Sequence, residues 1–230
     1  MLAVILAGGK GRRLLPFTTT IPKPLFPVGE KPILRIIIEQ LKEFGIRNFI
    51  ISVGYLGELI EAYFEDGSKF NCKISYIRED EPLGTAGAIS MLPDVEDDFI
   101  LMNGDILTTM DFSAVYKQHK SDSSIMTICS YEKKVKSSLG VLEIDAQNNV
   151  IDYLEKPEKT FLVSTGVYVL NPAIKGFVLK NEKIDLPDLV KRIIAKGQKV
   201  KSFLIKGEWF DIGTPGDLEL ALNHFERNQQ

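Results

Sequence analysis

With 230 residues, 44% of them hydrophobic, the chain can bury one large core and reads as a single catalytic unit. Its 28 basic and 31 acidic side chains leave a net charge of −3, which excludes the positive field that polynucleotide binding needs. The longest N-terminal apolar stretch, Leu2 to Ala7, has no basic leader and is too short for a signal sequence or a membrane span. The expectation is a cytoplasmic protein with no membrane partner.

Leu2-Leu6 reads as a buried strand. After a loop, Ile33, Leu34, Ile37, Ile38 and Leu41 fall at helical spacing between Pro32 and the stop at Gly45. Phe49–Val53 reads as a second strand, Glu58–Phe64 as a helix, Ile74–Ile77 as a third strand and Thr85–Leu92 as a short helix. Phe99–Met102 is an apolar strand that runs into Asn103-Gly104-Asp105, placing a carboxylate just beyond its carboxyl end. This alternation predicts βαβ units around a Rossmann-like, mostly parallel sheet flanked by helices, an α/β fold.

From Ser124 the texture changes to α+β. Ile125–Tyr131, Leu139–Ile144, Val150–Glu155 and Leu162–Leu170 read as consecutive strands, followed by helical stretches at Pro172–Leu179 and from Asp185 onward. Val200–Ile205 and Trp209–Phe210 add strand, and Pro215–Arg227 closes the chain as a helix with one apolar face. Cys72 and Cys129 lie in strand-like segments without metal-ligand spacing and read as reduced core residues.

Chemistry concentrates after the first strand. Leu6-Ala7-Gly8-Gly9-Lys10-Gly11-Arg12-Arg13-Leu14 combines glycines that let backbone N–H groups approach phosphate with two cations behind them. Leu14 stands where a dinucleotide fingerprint needs glycine, and Lys10 is not followed by the Ser/Thr of a Walker loop. An anion-binding loop and a plain tight turn both fit. Ile21-Pro22-Lys23-Pro24-Leu25 brackets a lysine with prolines, which aim it if it is functional and merely stiffen a solvated loop if it is not. Asp105 reads either as a ligand or as a turn aspartate after Asn-Gly.

Together these segments resemble the nucleoside-diphosphate-sugar pyrophosphorylases, the sugar-1-phosphate nucleotidyltransferases. The pattern small-Gly-Gly-x-Gly-x-Arg-Leu followed by Pro-Lys-Pro is matched from Ala7 to Leu25, with Arg12 where the family commonly has Thr. Leu83-Gly84-Thr85-Ala86-Gly87, Asn103-Gly104-Asp105, Gly140-Val141, Glu155-Lys156-Pro157, Thr165-Gly166-Val167-Tyr168 and Trp209-Phe210-Asp211-Ile212-Gly213 follow in the family's order. The resemblance implies a GT-A-like fold in one domain, residues 1–120 mainly binding nucleotide and 121–230 supplying the sugar side and a second metal ligand.

It also implies roles. Arg13, Lys23 and Asp105 would be catalytic, and Leu6, Ala7, Gly8, Gly9, Gly11, Arg13, Glu79, Gly84 and Thr85 would bind the nucleotide. Gly140, Glu155, Lys156 and Gly166 would face the sugar, while Asp105 and Asp211 would hold Mg²⁺. The sugar phosphate is already ionised, so no protein base is needed. That agrees with His119 and His224 lying outside every motif, and Trp209 is expected to pack beneath the loop that carries Asp211. Glu79 replaces a Gln common in thymidylyl- and uridylyltransferases and would accept from guanine N1–H and its N2 amino group. The reading therefore favours GTP with mannose-, heptose- or glucosamine-1-phosphate, in a monomer or homodimer. UTP or dTTP, a non-catalytic subunit of the same fold, and a non-sugar acceptor such as phosphocholine stay open. The chain stops soon after the last motif, so no appended acetyltransferase is expected.

Overall fold

The computed structural model describes residues 1–79 and 81–227. Strand β1 (Leu2–Leu6) is followed by a loop of short 3-10 turns and a small antiparallel pair, β2 (Pro27–Val28) and β3 (Lys31–Pro32). Helix α1 (Ile33–Glu43) leads to β4 (Asn48–Val53), α2 (Gly57–Phe64), β5 (Lys73–Arg78), the single turn α3 (Gly84–Gly87), β6 (Phe99–Asn103) and β7 (Ile106–Thr108). Then come α4 (Phe112–Asp122), β8 (Met126–Lys136), β9 (Val141–Ile144), β10 (Val150–Leu154), β11 (Glu158–Leu170), α5 (Leu186–Ala195), β12 (Val200–Leu204), β13 (Trp209–Asp211) and α6 (Pro215–Arg227).

Seven strands form one sheet in the order β12-β8-β11-β6-β1-β4-β5. Only β11 runs against the others. Alternate side chains of the central strands feed two cores, as period-two geometry requires. Ala3 and Ile5 of β1 and Ile100 and Met102 of β6 join one core, with α1, α2, α4 and α6. Val4, Phe99 and Leu101 join the other, with α3 and α5. Helix α1 buries Ile33, Leu34, Ile36, Ile37, Ile38 and Leu41, each worth up to about 1.5–3 kcal/mol of apolar transfer.

The chain leaves β1 toward β4 and β5 on one side and returns to β6 on the other. This reversal of strand order opens a crevice at the carboxyl ends of β1 and β6, the natural ligand position in an open α/β sheet. At that edge Gly104 N donates to Leu6 O at 2.8 Å, and a Cβ at Gly104 would lie 2.9 Å from the same oxygen. A residue larger than glycine would push the two strand ends apart.

Three sequence expectations need correction, and the helix around His119 has bounds that the sequence does not mark. Helix α4 has no counterpart in the hydrophobic pattern, because its buried face rests on Phe112, Val115 and the polar His119. Strands β8 and β11 run well past the segments that read as strand, since Lys133, Lys134, Lys136 and Lys159 conceal the alternation. Pro172–Phe177 is a 3-10 segment. Cys72 sits half-buried in the turn before β5, whereas Cys129 is buried in β8; both are free thiols.

Candidate active site

A cavity of about 410 Å³ opens at the crevice. Its walls include Leu6, Ala7, Gly8, Gly9, Gly11, Arg13, Glu79, Gly84 and Thr85, so every residue expected on the nucleotide side lies there, joined by Lys23 and Asp105. Gly11 has φ +57°, and a Cβ there would stand 2.9 Å from the Thr18 methyl. The Thr18 hydroxyl, itself buried, donates to Gly11 O at 3.1 Å. The loop is thereby pinned in a left-handed turn that only glycine takes without strain. Arg12, which stands where the family commonly has Thr, also reaches the cavity wall.

Lys23 begins a 3-10 turn whose N-cap is Pro22 and whose second residue is Pro24. Only 8% of it is exposed, and its ammonium group pairs with the Asp105 carboxylate through Oδ2. The solvated-lysine reading of this segment is therefore wrong. A nearly buried cation needs a partner, and here that partner comes from 82 residues further along the chain.

Asp105 links β6 to β7. Strand β13 pairs antiparallel with β7, placing Asp211 opposite Ile106, and Ile212 N donates to Asp105 O at 3.1 Å. The two carboxylates expected to share a cation thus arrive on adjacent strand ends. Burial first, and then the Asp105 charge, push the Asp211 carboxyl above the usual carboxylate range, while Lys23 and Arg13 oppose the shift. Asp105 Oδ1 and Asn103 Oδ1 are buried acceptors without a hydrogen-bond partner. Unpaired buried oxygens are costly, and a cation or a ligand donor would relieve both. Among the described residues no cage of three or more His, Cys, Asp or Glu side chains forms. Two carboxylates nonetheless fit a magnesium ion, which takes its remaining ligands from phosphates and water.

Arg13 lies against the backbone of Gly213, where a Cβ would come 2.6 Å from a guanidinium nitrogen. Gly213 lines the cavity, and its conformation is set by Asp217, whose Oδ2 accepts from Gly213 N at 3.2 Å and Thr214 N at 2.8 Å. Trp209 does not line the cavity and is held by strands β11 and β8. Its Nε1 donates to Thr165 O at 2.9 Å and its ring lies 5.5 Å from that of Tyr131.

Glu79 is held at both oxygens. The buried Ser52 hydroxyl donates to Oε1 at 2.6 Å, and Leu83 N donates to Oε2 at 3.0 Å. Each carboxylate oxygen retains a second lone pair, so the group can still accept from a ligand in the cavity it lines. Asp185 was missed. In the sequence it reads as an ordinary residue at a helix start, but its carboxylate makes no helix cap. Instead Oδ1 accepts from Thr85 N at 2.9 Å and Thr85 Oγ1 at 3.2 Å, while Leu186 N donates to Thr85 Oγ1 at 2.8 Å. No single-sequence signal pairs positions 100 residues apart.

The four sugar-side residues do not line this cavity. Gly166, at φ +78°, lies where the β8–β11 register shifts, and a Cβ there would stand 2.7 Å from Asn103 Nδ2. It is a bulge glycine at the edge of the crevice. Gly140 is covered by the Tyr153 phenol, 2.2 Å from an added Cβ, so the chain itself accounts for the glycine. Tyr153 hydroxyl donates to Glu155 at 3.3 Å, and Glu155 and Lys156 form an open pair at 3.7 Å, 63% and 57% exposed. Lys156 adopts φ +45°, a left-handed conformation that costs roughly 1–2 kcal/mol in a residue with a Cβ. His119 is a buried packing residue and the His224 ring lies 5.2 Å from that of Phe210.

Comparison with known proteins now decides the family. The model described as "Nucleotidyl transferase" matches residues 2–228. The chain belongs to the nucleotidyl transferase family. Within the sugar-1-phosphate branch, it is 32% identical over 242 residues to UTP–glucose-1-phosphate uridylyltransferase of Synechocystis sp., covering 96% of this chain and 62% of that one. It is 36% identical to the bifunctional protein GlmU of Methanococcus maripaludis, covering 98% and 54%. The chain thus spans roughly half to two-thirds of the length of these curated relatives. The solved structure of HddC from Yersinia pseudotuberculosis with GMP-PN superposes with a TM-score of 0.73 at 29% identity, covering 97% of this chain and 99% of that one. No helix among the described residues is long and apolar enough to cross a membrane.

Proposed function

We propose that this chain transfers a nucleoside monophosphate from a nucleoside triphosphate to a sugar 1-phosphate and releases pyrophosphate. The observation that carries the reading is the meeting, at one crevice, of a glycine loop, Lys23 and the carboxylates of Asp105 and Asp211. Backbone N–H groups of the loop and the Arg13 guanidinium would bind the triphosphate, and Lys23 would offset charge at the α-phosphorus. Asp105 and Asp211 would hold Mg²⁺, which would supply positive charge to offset the charge that develops on the phosphates. The attacking phosphate oxygen is anionic at neutral pH, so positioning and charge compensation suffice. Among the described residues that line the cavity there is no histidine, which is consistent with this.

For the base we favour guanine. The Glu79 carboxylate is fixed beside the cavity with acceptor capacity left over, which suits the N1–H and N2 donors of guanine better than a uracil edge. The relatives divide on this point, since one is named for UTP and another was solved with GMP-PN. On the sugar side, the strained Lys156 and the neighbouring Glu155 would meet the acceptor's phosphate and hydroxyls, with mannose-, heptose- and glucosamine-1-phosphate as the candidates. The test is pyrophosphate release with Mg²⁺ across the common triphosphates, crossed with these acceptors, glucose-1-phosphate and phosphocholine. An active GTP–sugar pair is the expected result. Activity with UTP or dTTP alone would sink the Glu79 argument, and silence throughout would sink the enzymatic reading.

A further inference from the structure

Thr85 and Asp185 stand 100 residues apart in the chain, yet both line the cavity, as does Gly84. The backbone brings them together. Ile184 N donates to Leu83 O at 2.9 Å and Ala86 N donates to Ile184 O at 3.0 Å, so residues 182–186 lie as a strap along the turn 83–87. Gly84 has φ +79°, and a Cβ there would meet Ile184 O at 2.6 Å and Asp185 Oδ1 at 2.8 Å. The strap can lie this close only over a glycine. It is itself fixed: Ile184 and Leu186, on either side of Asp185, are buried in one core with Ala86, and Glu182 accepts from Arg192 at 2.6 and 2.8 Å.

Across this contact two side chains exchange their usual tasks. The first backbone donors of a helix have no partner within it, and an aspartate at the N-cap ordinarily supplies one to its own helix. Asp185 precedes α5 but makes no such cap. Its Oδ1 accepts instead from Thr85 N, in the first turn of α3, while Thr85 Oγ1 accepts from Leu186 N, the first residue of α5. Each side chain caps the other's helix. Because Leu83 N also donates to Glu79 Oε2 at 3.0 Å, the turn that carries Gly84 is held at the N–H groups of Leu83, Thr85 and Ala86.

We infer that Asp185 is a positioning residue of the nucleotide site: it fixes the turn that presents Gly84 and Thr85 to the ligand and that braces Glu79 through Leu83. The inference rests on the proposed reading that the cavity takes a nucleoside triphosphate. A carboxylate in that wall opposes an incoming triphosphate by like charge, so its contribution lies in the hydrogen bonds made by Oδ1 and not in its charge. The second half of the chain thus takes part in holding the nucleotide.

Titration calorimetry with GTP and with UTP, in the presence of Mg²⁺ and without sugar phosphate, tests this directly. For the triphosphate that the wild type binds, Asp185→Ala should weaken binding about 10-fold, as expected when charge-assisted hydrogen bonds that order a wall are lost. In turnover, KM for the triphosphate should rise by a similar factor while kcat and KM for the sugar phosphate hold. Asp185→Asn keeps an acceptor oxygen, and asparagine caps a helix about as well as aspartate, so it should bind like the wild type. Hydrogen exchange of the free protein should show the Thr85 amide opening faster in the Ala variant and not in the Asn variant. Ile193→Ala, a core truncation in the same helix α5, should lower Tm without weakening nucleotide binding, which separates positioning from a general loss of stability. Unchanged binding in Asp185→Ala, equal losses in the Ala and Asn variants, or an equal loss in Ile193→Ala would each overturn the inference alone. A wild-type chain that binds neither triphosphate would overturn the nucleotide reading and this inference with it.

Discussion

The residues assigned to the nucleotide, which line the crevice, and those assigned to the sugar, which lie outside it, are built on opposite principles. On the nucleotide side, the groups are fixed before any ligand arrives: Lys23 is buried against Asp105, Glu79 is held at both oxygens, and Thr85 is tied to Asp185. On the sugar side, Glu155 and Lys156 form an open surface pair, and Gly140 is covered by Tyr153. On the proposed reading, rigidity is concentrated where charge would be compensated at phosphorus, because preorganised groups stabilise a transition state without reorganising. Recognition of the acceptor would then be left to a looser surface.

The strongest way to break this contrast is to remove a fixed charge. Lys23→Ala or Asp105→Asn should each lower kcat by at least ~100-fold, the usual cost of one electrostatic stabiliser in a site shielded from water. Near-normal turnover in a folded variant would remove that residue from the mechanism. Lys156→Ala should act differently, raising KM for the sugar phosphate about 10-fold through one lost charge-assisted contact while KM for the triphosphate stays put. An equal rise in both constants would erase the division between the two sides.

Glu79→Gln sharpens the comparison within the nucleotide side. The GTP-to-UTP ratio of kcat/KM should fall about 10-fold, since an amide can offer a donor to the uracil edge and accepts less well from guanine. An unchanged ratio would leave Glu79 with only its structural task of holding Leu83. The smallest effect lies away from the crevice. Burial lowers the His119 pKa from 6.5 despite the attraction of Asp98. Its depressed folded value means that the unfolded chain takes up the proton first, so stability present above pH 6.5 is lost as pH falls toward the folded value. The Tm of the wild-type chain should drop by a few degrees between pH 7 and 5.5, and His119→Asn should flatten that part of the slope.

Much of this was legible in the sequence because it is local. The strand–glycine loop, the proline-bracketed lysine and the aspartate after β6 each announce themselves within ten residues, and every nucleotide-side assignment lines the cavity. What could not be read depends on pairing distant segments. Asp185 has no neighbour in sequence that points to Thr85, and α4 hides its buried face behind a histidine held by Thr127 and Ser124. The ribbon of β8 and β11 was underestimated for a related reason: with both faces in water, its lysines need not alternate cleanly with apolar residues.

The distances along the chain between site partners carry a consequence for how the protein acquires its shape. Lys23 meets Asp105, Thr85 meets Asp185, and Arg13 rests on Gly213. Each contact closes a loop of some 80 to 200 residues, and such closures are slow steps in folding. During synthesis the glycine loop emerges some 200 residues before Gly213, the wall that supports its arginine. The cavity is therefore closed only when a segment made some 200 residues after the glycine loop folds back onto that loop.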